Sequence, residues 1–329
     1  MEQKQLKILI TRRLHDFPVK ELKKRYEVEI HTGKIPMPKK LLLSKIRDKN
    51  GLICYPYDIV DADVIQAGKK LRAISTFSVG YDHIDVKTAV RRGIIIGYTP
   101  EVLTRATADL TMALMLALFR RIPEGHNIVQ SNKWKVIFGP YEFLGTDLYH
   151  KTLGIFGMGR IGKAVAKRAS GFEMKILYHN RSRLAVSEER KLGAKYVSLV
   201  DLFRKSDVIS IHSPYTLQTH GIVNSKLLKK MKKTAFLINT ARGKILNEKD
   251  LIHALKKGII AGAGLDVFWA EPISRNHPFA KMKNVVLMPH SGSSTVETRA
   301  EMAEITVKNL VLALSGKKPI YQVRVQSSR

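Results

Sequence analysis

Residues 151–183, KTLGIFGMGRIGKAVAKRASGFEMKILYHNRSR, carry a complete strand–helix–strand pattern. The apolar run at 153–156 predicts a short strand. Residues 163–169 predict a helix, because apolar side chains recur there every four positions. A second apolar run at 174–178 predicts the next strand. A turn with three glycines lies between the first strand and the helix, so we expect a βαβ unit with a glycine-rich first turn.

The turn has the GxGxxG spacing of a dinucleotide site. In such a site the first glycine makes the tight turn, the second lets the backbone approach a pyrophosphate, and the third allows close helix–strand packing. The pyrophosphate binds amides at the helix N-terminus. Because this turn lies between a predicted strand and a predicted helix, the motif is far more specific than a lone match. We expect six residues to contact the cofactor: Gly157, Met158, Gly159, Arg160, Ile161 and Gly162.

The residues after the second strand indicate which dinucleotide binds. An NAD site usually has Asp or Glu at this point, where the carboxylate binds the ribose 2′-hydroxyl. Here the strand is followed by Asn180, Arg181, Ser182 and Arg183, and the first carboxylate is that of Glu188. A carboxylate would repel a 2′-phosphate, whereas arginine and serine side chains bind one through charge-assisted hydrogen bonds. We therefore predict that this loop prefers NADP(H), with NAD(H) as the alternative.

The charge balance is the most unusual feature of the composition. Of 329 residues, 57 are Lys or Arg and 28 are Asp or Glu, so the formal net charge is +29. A positive field of this size attracts anionic molecules without selecting among them. The basic residues are spread along the chain rather than gathered in one arm, so we expect no specific nucleic-acid partner.

Other bulk properties indicate a cytoplasmic protein with two domains. No apolar run reaches the roughly 18 residues that span a membrane, so we expect no membrane partner. The N-terminus lacks the pattern of a signal peptide. The single cysteine, Cys54, lies in an apolar run and is expected to be a buried, unreactive thiol. We expect no metal ion.

Strands and helices alternate on both sides of residue 100, which predicts two parallel sheets covered by helices. The predicted strands lie at 6–10, 28–31, 51–54, 72–76, 94–97, 153–156, 174–178, 208–212, 235–239, 259–265 and 285–289. Between the two series we expect a long helix at 101–122, followed by a loop-rich segment that extends to residue 150 and exposes Trp134. A last helix is predicted at 294–315.

Polar residues follow several of the predicted strands. In an open α/β sheet the carboxyl ends of the strands face the ligand. In the second half of the chain the strands end in His212-Ser213-Pro214, Thr240-Ala241-Arg242-Gly243, Asp266-Val267-Phe268 and Pro289-His290. In the first half, the loop at 78–85 follows a strand directly. Its Val79 and Gly80 amides are candidates to bind a carboxylate.

Taken together, the motifs resemble those of the D-isomer-specific 2-hydroxyacid dehydrogenase family, and within it the glyoxylate/hydroxypyruvate reductases. Five motifs carry the resemblance: SVGYDHID at 78–85, GMGRIG at 157–162, NTARG at 239–243, DVFWAEP at 266–272 and PHSGS at 289–293. The resemblance covers nearly the whole chain. It implies an α/β fold in which a Rossmann-type, doubly wound nucleotide-binding domain (100–290) is inserted into a flavodoxin-like substrate domain (1–99 and 291–329).

The resemblance also assigns a catalytic trio of Arg242, Glu271 and His290. Reduction of a 2-oxo acid adds a hydride to the carbonyl carbon and a proton to its oxygen. His290 can supply that proton because imidazole titrates near neutral pH, and Glu271 can hold the other ring nitrogen. Arg242 offers paired donors to the substrate carboxylate and carbonyl oxygen. The amides of Val79 and Gly80 would take the other carboxylate oxygen.

Further cofactor contacts are implied by resemblance alone. They are Thr107, Ser213, Pro214, Thr219, Thr240, Asp266 and Gly292. The resemblance also implies a homodimer, in which Trp134 reaches the active site of the neighbouring subunit.

Three functions remain open at this point. The leading hypothesis is an NADPH-dependent reductase of glyoxylate and hydroxypyruvate, with 2-ketogluconate as a further substrate. The second is an NAD-linked phosphoglycerate or D-lactate dehydrogenase. The third is a dinucleotide-sensing binding protein, like the corepressors that share this fold.

Overall fold

The computed structural model describes residues 6–33 and 36–324, which form two compact units. The first unit comprises the described residues up to Leu103 and those from Ser293 onward. The second unit is Thr104–Gly292. Each unit has its own parallel sheet, as the alternating pattern predicts.

The elements of the described residues are numbered in chain order. The strands are β1 Lys7–Ile10, β2 Glu27–Ile30, β3 Gly51–Cys54, β4 Ala73–Thr76, β5 Ile95–Gly97, β6 Thr152–Phe156, β7 Lys175–His179, β8 Ala194–Tyr196, β9 Val208–Ile211, β10 Phe236–Asn239, β11 Gly262–Leu265 and β12 Val285–Leu287. The helices are α1 Asp16–Lys23, α2 Lys39–Lys45, α3 Ala62–Ala67, α4 Val86–Arg91, α5 Thr104–Phe119, α6 Ile122–Gln130, α7 Arg160–Ser170, α8 Val186–Leu192, α9 Leu199–Lys205, α10 Ser225–Leu228, α11 Glu248–Lys256 and α12 Val296–Leu314.

The sheet of the first unit has the strand order β2-β1-β3-β4-β5, with every neighbouring pair parallel. This is the flavodoxin-like order 2-1-3-4-5. Every residue of β3 and β4 is buried, as expected for central strands of a parallel sheet. Helix α12 packs against β3, β4 and β5, so the C-terminal part of the chain joins this unit.

The sheet of the second unit has the order β12-β11-β10-β9-β6-β7-β8, and its strands are also parallel. Counted from β6, this is the doubly wound order 3-2-1-4-5-6 with one further strand at the edge. The order reverses between β6 and β9. Ligands of such sheets bind in the crevice beyond the carboxyl ends of these two strands. The predicted α/β fold class is confirmed.

The core of the second unit lies on both faces of its sheet, because successive side chains of a strand point to opposite faces. In β9, Val208 packs into one buried apolar cluster, whereas Ile209 and Ile211 pack into the other. The two clusters pack the central strands between layers of helices. This packing positions the loops at the carboxyl ends of the strands.

The stretch of chain that connects β5 to β6 differs from the prediction. The helix expected at 101–122 is shorter, because Glu101 and Arg121 both have positive φ, 72° and 53°, which a right-handed helix cannot include. The prediction of a loop-rich segment from 122 onward is wrong for its first part, where α6 forms. A proline at its start favours this helix, and none of its residues is buried. Of the helices described, none is both long enough and apolar enough to cross a membrane.

Candidate active site

Two glycines of the turn after β6 are required by the packing of the protein itself. Gly157 has a φ of +104°, and a Cβ atom there would lie 2.4 Å from the amide nitrogen of Ser213. A Cβ atom on Gly162 would lie 2.3 Å from the carbonyl oxygen of Gly157. The turn is therefore closed tightly between the end of β9 and the start of α7.

The middle glycine, Gly159, has no such role in packing. A Cβ atom there would meet no described atom within 4 Å, and its φ of −80° is open to every residue type. Gly159 is the N-cap of α7 and has no side chain to accept bonds from the first amides of the helix. Open space beside the positive end of a helix suits a pyrophosphate. The turn therefore fits the predicted dinucleotide.

Asn180 connects the loop after β7 to the glycine turn. Its Oδ1 accepts a hydrogen bond of 2.6 Å from the amide of Met158. Its carbonyl oxygen accepts a 3.4 Å bond from the hydroxyl of Tyr196. Asn180 therefore shapes the turn, a role that its place in the motif does not reveal.

Arg183, which the sequence predicts to contact a 2′-phosphate, is paired with a carboxylate of the protein itself. Its guanidinium donates to both oxygens of Glu189, at 2.9 and 2.7 Å. The hydroxyl of Tyr178 donates to the same carboxylate at 2.6 Å and accepts a 2.9 Å bond from the amide of Leu184. Hydrogen bonds from Arg183 and Tyr178 lower the pKa of Glu189 to about 2. The residues after β7 are thus fixed to α8.

Arg181 and Ser182 lie at the exposed tip of the same loop. The first carboxylate after them in the sequence, Glu188, pairs with Lys163 of α7. Glu189 is occupied by Arg183. Arg181 and Ser182 therefore supply the donors that the sequence assigns to a 2′-phosphate, and both nearby carboxylates are already paired.

Glu271 and His290 form a direct pair. His290 Nδ1 lies 2.6 Å from Glu271 Oε2, and the amide of Phe268 donates to Glu271 Oε1 at 2.8 Å. Burial raises the pKa of Glu271, but the hydrogen bond and charge of His290, the Phe268 amide and the charge of Arg242 together outweigh burial, so the pKa is lowered. Glu271 is therefore an ionised acceptor that orients the imidazole ring.

The loop of Arg242 is positioned by Asn239, which precedes it, and by Gly243, which follows it. Asn239, fully buried at the end of β10, donates to the carbonyl oxygen of Arg242 at 2.9 Å and accepts from the amide of Ala241 at 3.0 Å. A Cβ atom on Gly243 would lie 2.0 Å from the carbonyl carbon of Phe268. The Arg242 loop is therefore in backbone contact with the segment that carries Glu271.

Asp266 holds the loop of His290. Its Oδ1 accepts from the amide of Ser291 at 2.7 Å and its Oδ2 from the amide of Gly292 at 2.9 Å. Its carbonyl oxygen accepts from the amide of His290 at 2.9 Å. His290 has a φ of +53°, and these bonds keep it in that uncommon conformation. Burial raises the pKa of Asp266. The sequence predicted a cofactor contact here, and the structure shows a positioning role.

The remaining cofactor candidates divide into two groups. The hydroxyls of Thr111 and Thr240 lie 3.0 Å apart, and Thr111 also donates to the carbonyl oxygen of Thr107. A Cβ atom on Gly292 would lie 3.3 Å from Thr107, so the structure brings this group together. By contrast, the side chains of the second group bond within their own loop, where Thr219 and Ser213 donate to the carbonyl oxygen of Pro214.

His212 ends β9 directly beside the glycine turn. Its amide donates to the carbonyl oxygen of Phe156 at 2.7 Å, and its Nε2 lies 2.8 Å from the hydroxyl of Ser210. Burial lowers the pKa of His212 to about 3, so the ring is neutral at physiological pH. It therefore adds no charge at the strand end nearest the turn.

Val79 and Gly80 belong to the first unit, in the loop after β4. The hydroxyl of Ser78 donates to the carbonyl oxygen of Gly80 at 2.5 Å and lies 2.8 Å from the hydroxyl of Thr76. These contacts fix the loop from its buried side. Among the described residues, the amides of Val79 and Gly80 find no acceptor in the backbone.

Comparisons with known proteins identify the family of this chain. The family model described as D-isomer specific 2-hydroxyacid dehydrogenase, NAD binding domain, matches residues 112–292. The chain belongs to the D-isomer-specific 2-hydroxyacid dehydrogenase family. It is 47% identical over 316 residues to a glyoxylate reductase of Thermococcus litoralis, and the match covers 95% of each chain.

Solved structures superpose on nearly the whole chain. The TT0316 protein from Thermus thermophilus has a TM-score of 0.90 at 42% identity, covering 97% of this chain and all of its own. An NADPH-dependent glyoxylate/hydroxypyruvate reductase from Sinorhizobium meliloti, solved with NADP and malonate, has a TM-score of 0.87 at 31% identity, with 97% of each chain covered. The predicted family is therefore confirmed.

Proposed function

We propose that this dehydrogenase uses NADPH to reduce small 2-oxo acids, glyoxylate and hydroxypyruvate among them, to D-2-hydroxy acids. The observation that carries the proposal is the contact of 2.6 Å between Glu271 and His290 in a unit that also holds the GMGRIG turn. The relatives that share 44–47% identity over 95% of this chain include glyoxylate reductases. Their names support glyoxylate as the first substrate to test.

His290 acts as the proton donor in this scheme. Because ionised Glu271 accepts from Nδ1, Nε2 is the nitrogen that delivers the proton to the substrate oxygen. Glu271 stabilises the imidazolium form before the transfer. Asp266 fixes the loop so that the ring keeps one orientation during the reaction.

Arg242 binds the substrate in this scheme. Its planar guanidinium offers donors to the carboxylate and to the carbonyl oxygen, where negative charge grows during reduction. The amides of Val79 and Gly80 are the proposed donors to the other carboxylate oxygen. NADPH, when bound, supplies the hydride.

The preference for NADPH rests on the loop after β7. Asn180, Arg181 and Ser182 occupy the position where an NAD site usually has an acidic residue. Arg181 and Ser182 are exposed. The nearby carboxylates of Glu188 and Glu189 form ion pairs with the side chains of Lys163 and Arg183. The NADP complex of the Sinorhizobium meliloti relative supports this choice.

We also propose that the enzyme works as a homodimer in the cytoplasm. The described residues after α6 expose several large apolar side chains, namely Trp134 (54%), Ile137 (90%), Tyr141 (89%) and Leu144 (60%). A continuous set of this kind on one segment is typical of an interface. We propose that Trp134 reaches the active site of the neighbouring subunit.

The test is oxidation of NADPH and NADH by the purified protein with five acids: glyoxylate, hydroxypyruvate, pyruvate, 2-ketogluconate and phosphohydroxypyruvate. We expect the highest kcat/KM with glyoxylate or hydroxypyruvate and NADPH. Equal kcat/KM with NADH would contradict the cofactor assignment. Tight NADPH binding without turnover on any of the five acids would favour the corepressor-like alternative.

A further inference from the structure

The amino ends of the strands in the second unit carry a row of lysines. All seven strands of this sheet are parallel, so their amino ends lie along one side of the sheet, which we call the amino edge. The glycine turn and the Glu271–His290 pair lie on the opposite side, beyond the carboxyl ends of the strands. Nine lysines lie at or just before these amino ends, and we call them the lysine strip: Lys151, Lys175, Lys205, Lys232, Lys233, Lys256, Lys257, Lys281 and Lys283.

Hydrogen bonds between neighbouring strand starts show that the lysine positions from β7 to β9 are adjacent. The amide of Lys175 donates to the carbonyl oxygen of Lys151 at 2.9 Å. The next residue, Thr152, donates its amide to Asp207 Oδ2 at 2.8 Å. Asp207 precedes β9 and also accepts from Lys232 Nζ at 2.7 Å. Neighbouring strand starts thus lie side by side.

The strip continues in the same way from β10 to β12. The amide of Ala261, before β11, donates to the carbonyl oxygen of Ala235, before β10, at 2.9 Å. The side chain of Asn284, before β12, donates to the carbonyl oxygens of Leu255 and Ala261, at 3.5 and 3.1 Å. Lys256 and Lys283 are next to these residues in the chain. With strands about 4.8 Å apart, the row from β7 to β12 is about 24 Å long.

Most of the strip has no neutralising partner among the described residues. Lys232 pairs with Asp207, and Lys205 lies 3.7 Å from Asp201. The five lysines from β10 to β12 that are exposed and form no described ion pair are Lys233, Lys256, Lys257, Lys281 and Lys283. Asp147 and Glu173 lie at the far end, near β6 and β7. The charge is therefore most concentrated at the β10–β12 end.

We propose that the lysine strip binds duplex nucleic acid through its phosphates, without reading sequence. A linear row of cations matches a linear polyanion, since a duplex carries one charge per 1.7 Å or so along its axis. About 24 Å corresponds to about seven base pairs at 3.4 Å each. Lysine binds phosphate as a point charge, and phosphate contacts carry no sequence information.

Single strands and membranes fit the β10–β12 end of the strip less well than a duplex does. Single-stranded nucleic acid is bound largely by stacking on exposed aromatic rings. Membrane surfaces are bound by apolar side chains that insert beside the basic ones. Among the described residues from β9 to β12, none of the exposed large hydrophobic side chains lies at the amino edge. The β10–β12 end offers charge alone, which favours a duplex.

The test compares two variants of the full-length protein that carry the same net charge. The strip variant has K233Q, K256Q, K257Q, K281Q and K283Q. The control variant has K20Q, K23Q, K69Q, K70Q and K87Q, which are exposed lysines of the first unit without a described ion pair. Affinity for a labelled DNA duplex of about 20 base pairs and arbitrary sequence is measured by anisotropy across a salt series.

We expect the strip variant to bind the duplex at least about a hundredfold more weakly near 0.1 M salt. Each lost phosphate contact should also reduce the steepness of the plot of log affinity against log salt concentration by about 0.9. The control should change far less, and both variants should keep wild-type NADPH oxidation and unfolding temperature. An equal loss in both variants would show that only net charge matters and would overturn the proposal. Tighter binding to a single strand of the same length, or to phosphatidylserine vesicles, would overturn the choice of a duplex.

Discussion

Arg183 and Glu189 form a bidentate ion pair that crosses from the loop after β7 to α8, with N–O distances of 2.9 and 2.7 Å. The pair engages two donor nitrogens of an arginine that the sequence predicts to contact the 2′-phosphate. It also balances the negative charge of Glu189, which would otherwise repel that phosphate. In the proposed NADPH site we therefore assign the main role in binding the 2′-phosphate to Arg181 and Ser182.

The first prediction concerns cofactor selection by Arg181. Arg181→Ala should raise the KM for NADPH by about 10- to 100-fold, because a charge-assisted bond contributes roughly 1.5–3 kcal/mol. The KM for NADH should change little, since NADH has no 2′-phosphate. Steady-state kinetics with both cofactors measures this. Arg183→Ala is the matched control, and a larger selective loss there would reverse the assignment.

The second prediction concerns acid stability. The pKa of Glu189 is lowered from 4.5 to about 2 in the folded protein by its bonds to Arg183 and Tyr178. Its contribution to the free energy of unfolding is therefore complete above about pH 4.5 and lost as the pH falls toward 2. Glu189→Gln should lower the unfolding temperature at pH 7, and the difference from wild type should shrink between pH 5 and 3. Glu188→Gln, at a half-buried ion pair that is more exposed than Glu189, should show a much smaller effect at every pH.

The third prediction separates a glycine that serves the ligand from one that serves the fold. Gly159→Ala should keep wild-type stability within about 0.5 kcal/mol, because the new methyl group meets no described atom. It should nevertheless weaken NADPH binding at least about tenfold, by blocking the pyrophosphate. Gly243→Ala should cost about 2 kcal/mol or more, since the backbone of Phe268 occupies that space. Urea unfolding and NADPH titration measure both effects, and unchanged NADPH affinity in Gly159→Ala would refute the ligand role.

The fourth prediction concerns the proton donor. His290→Ala should lower kcat by about two to four orders of magnitude while leaving NADPH binding intact. Glu271→Gln should move the pH–rate profile for reduction to lower pH, because a neutral amide stabilises the imidazolium less than an ionised carboxylate. Stopped-flow reduction of glyoxylate across a pH series checks both variants. A near-normal rate in His290→Ala would exclude it as the acid.

The sequence alone determined the parts of this protein that depend on local pattern. The trio of Arg242, Glu271 and His290 came instead from the resemblance to the dehydrogenase family. Strand and helix alternation and the glycine turn are readable along the chain itself. They are readable because hydrophobic periodicity and a turn's backbone requirements act over a few residues. The sequence did not predict helix α6, none of whose residues is buried in the structure.

Only the tertiary structure decided which hydrogen-bond and ion-pair partners these side chains have, because the partners are distant in the chain. Whether Arg183 meets a phosphate or Glu189, and whether Asp266 faces a cofactor or holds the His290 loop, depends on which acceptor lies nearest after folding. The lysine strip is likewise scattered over more than 130 residues of sequence and becomes one row only at the edge of the sheet. Strand order places these groups together, and periodicity along the chain does not specify that order.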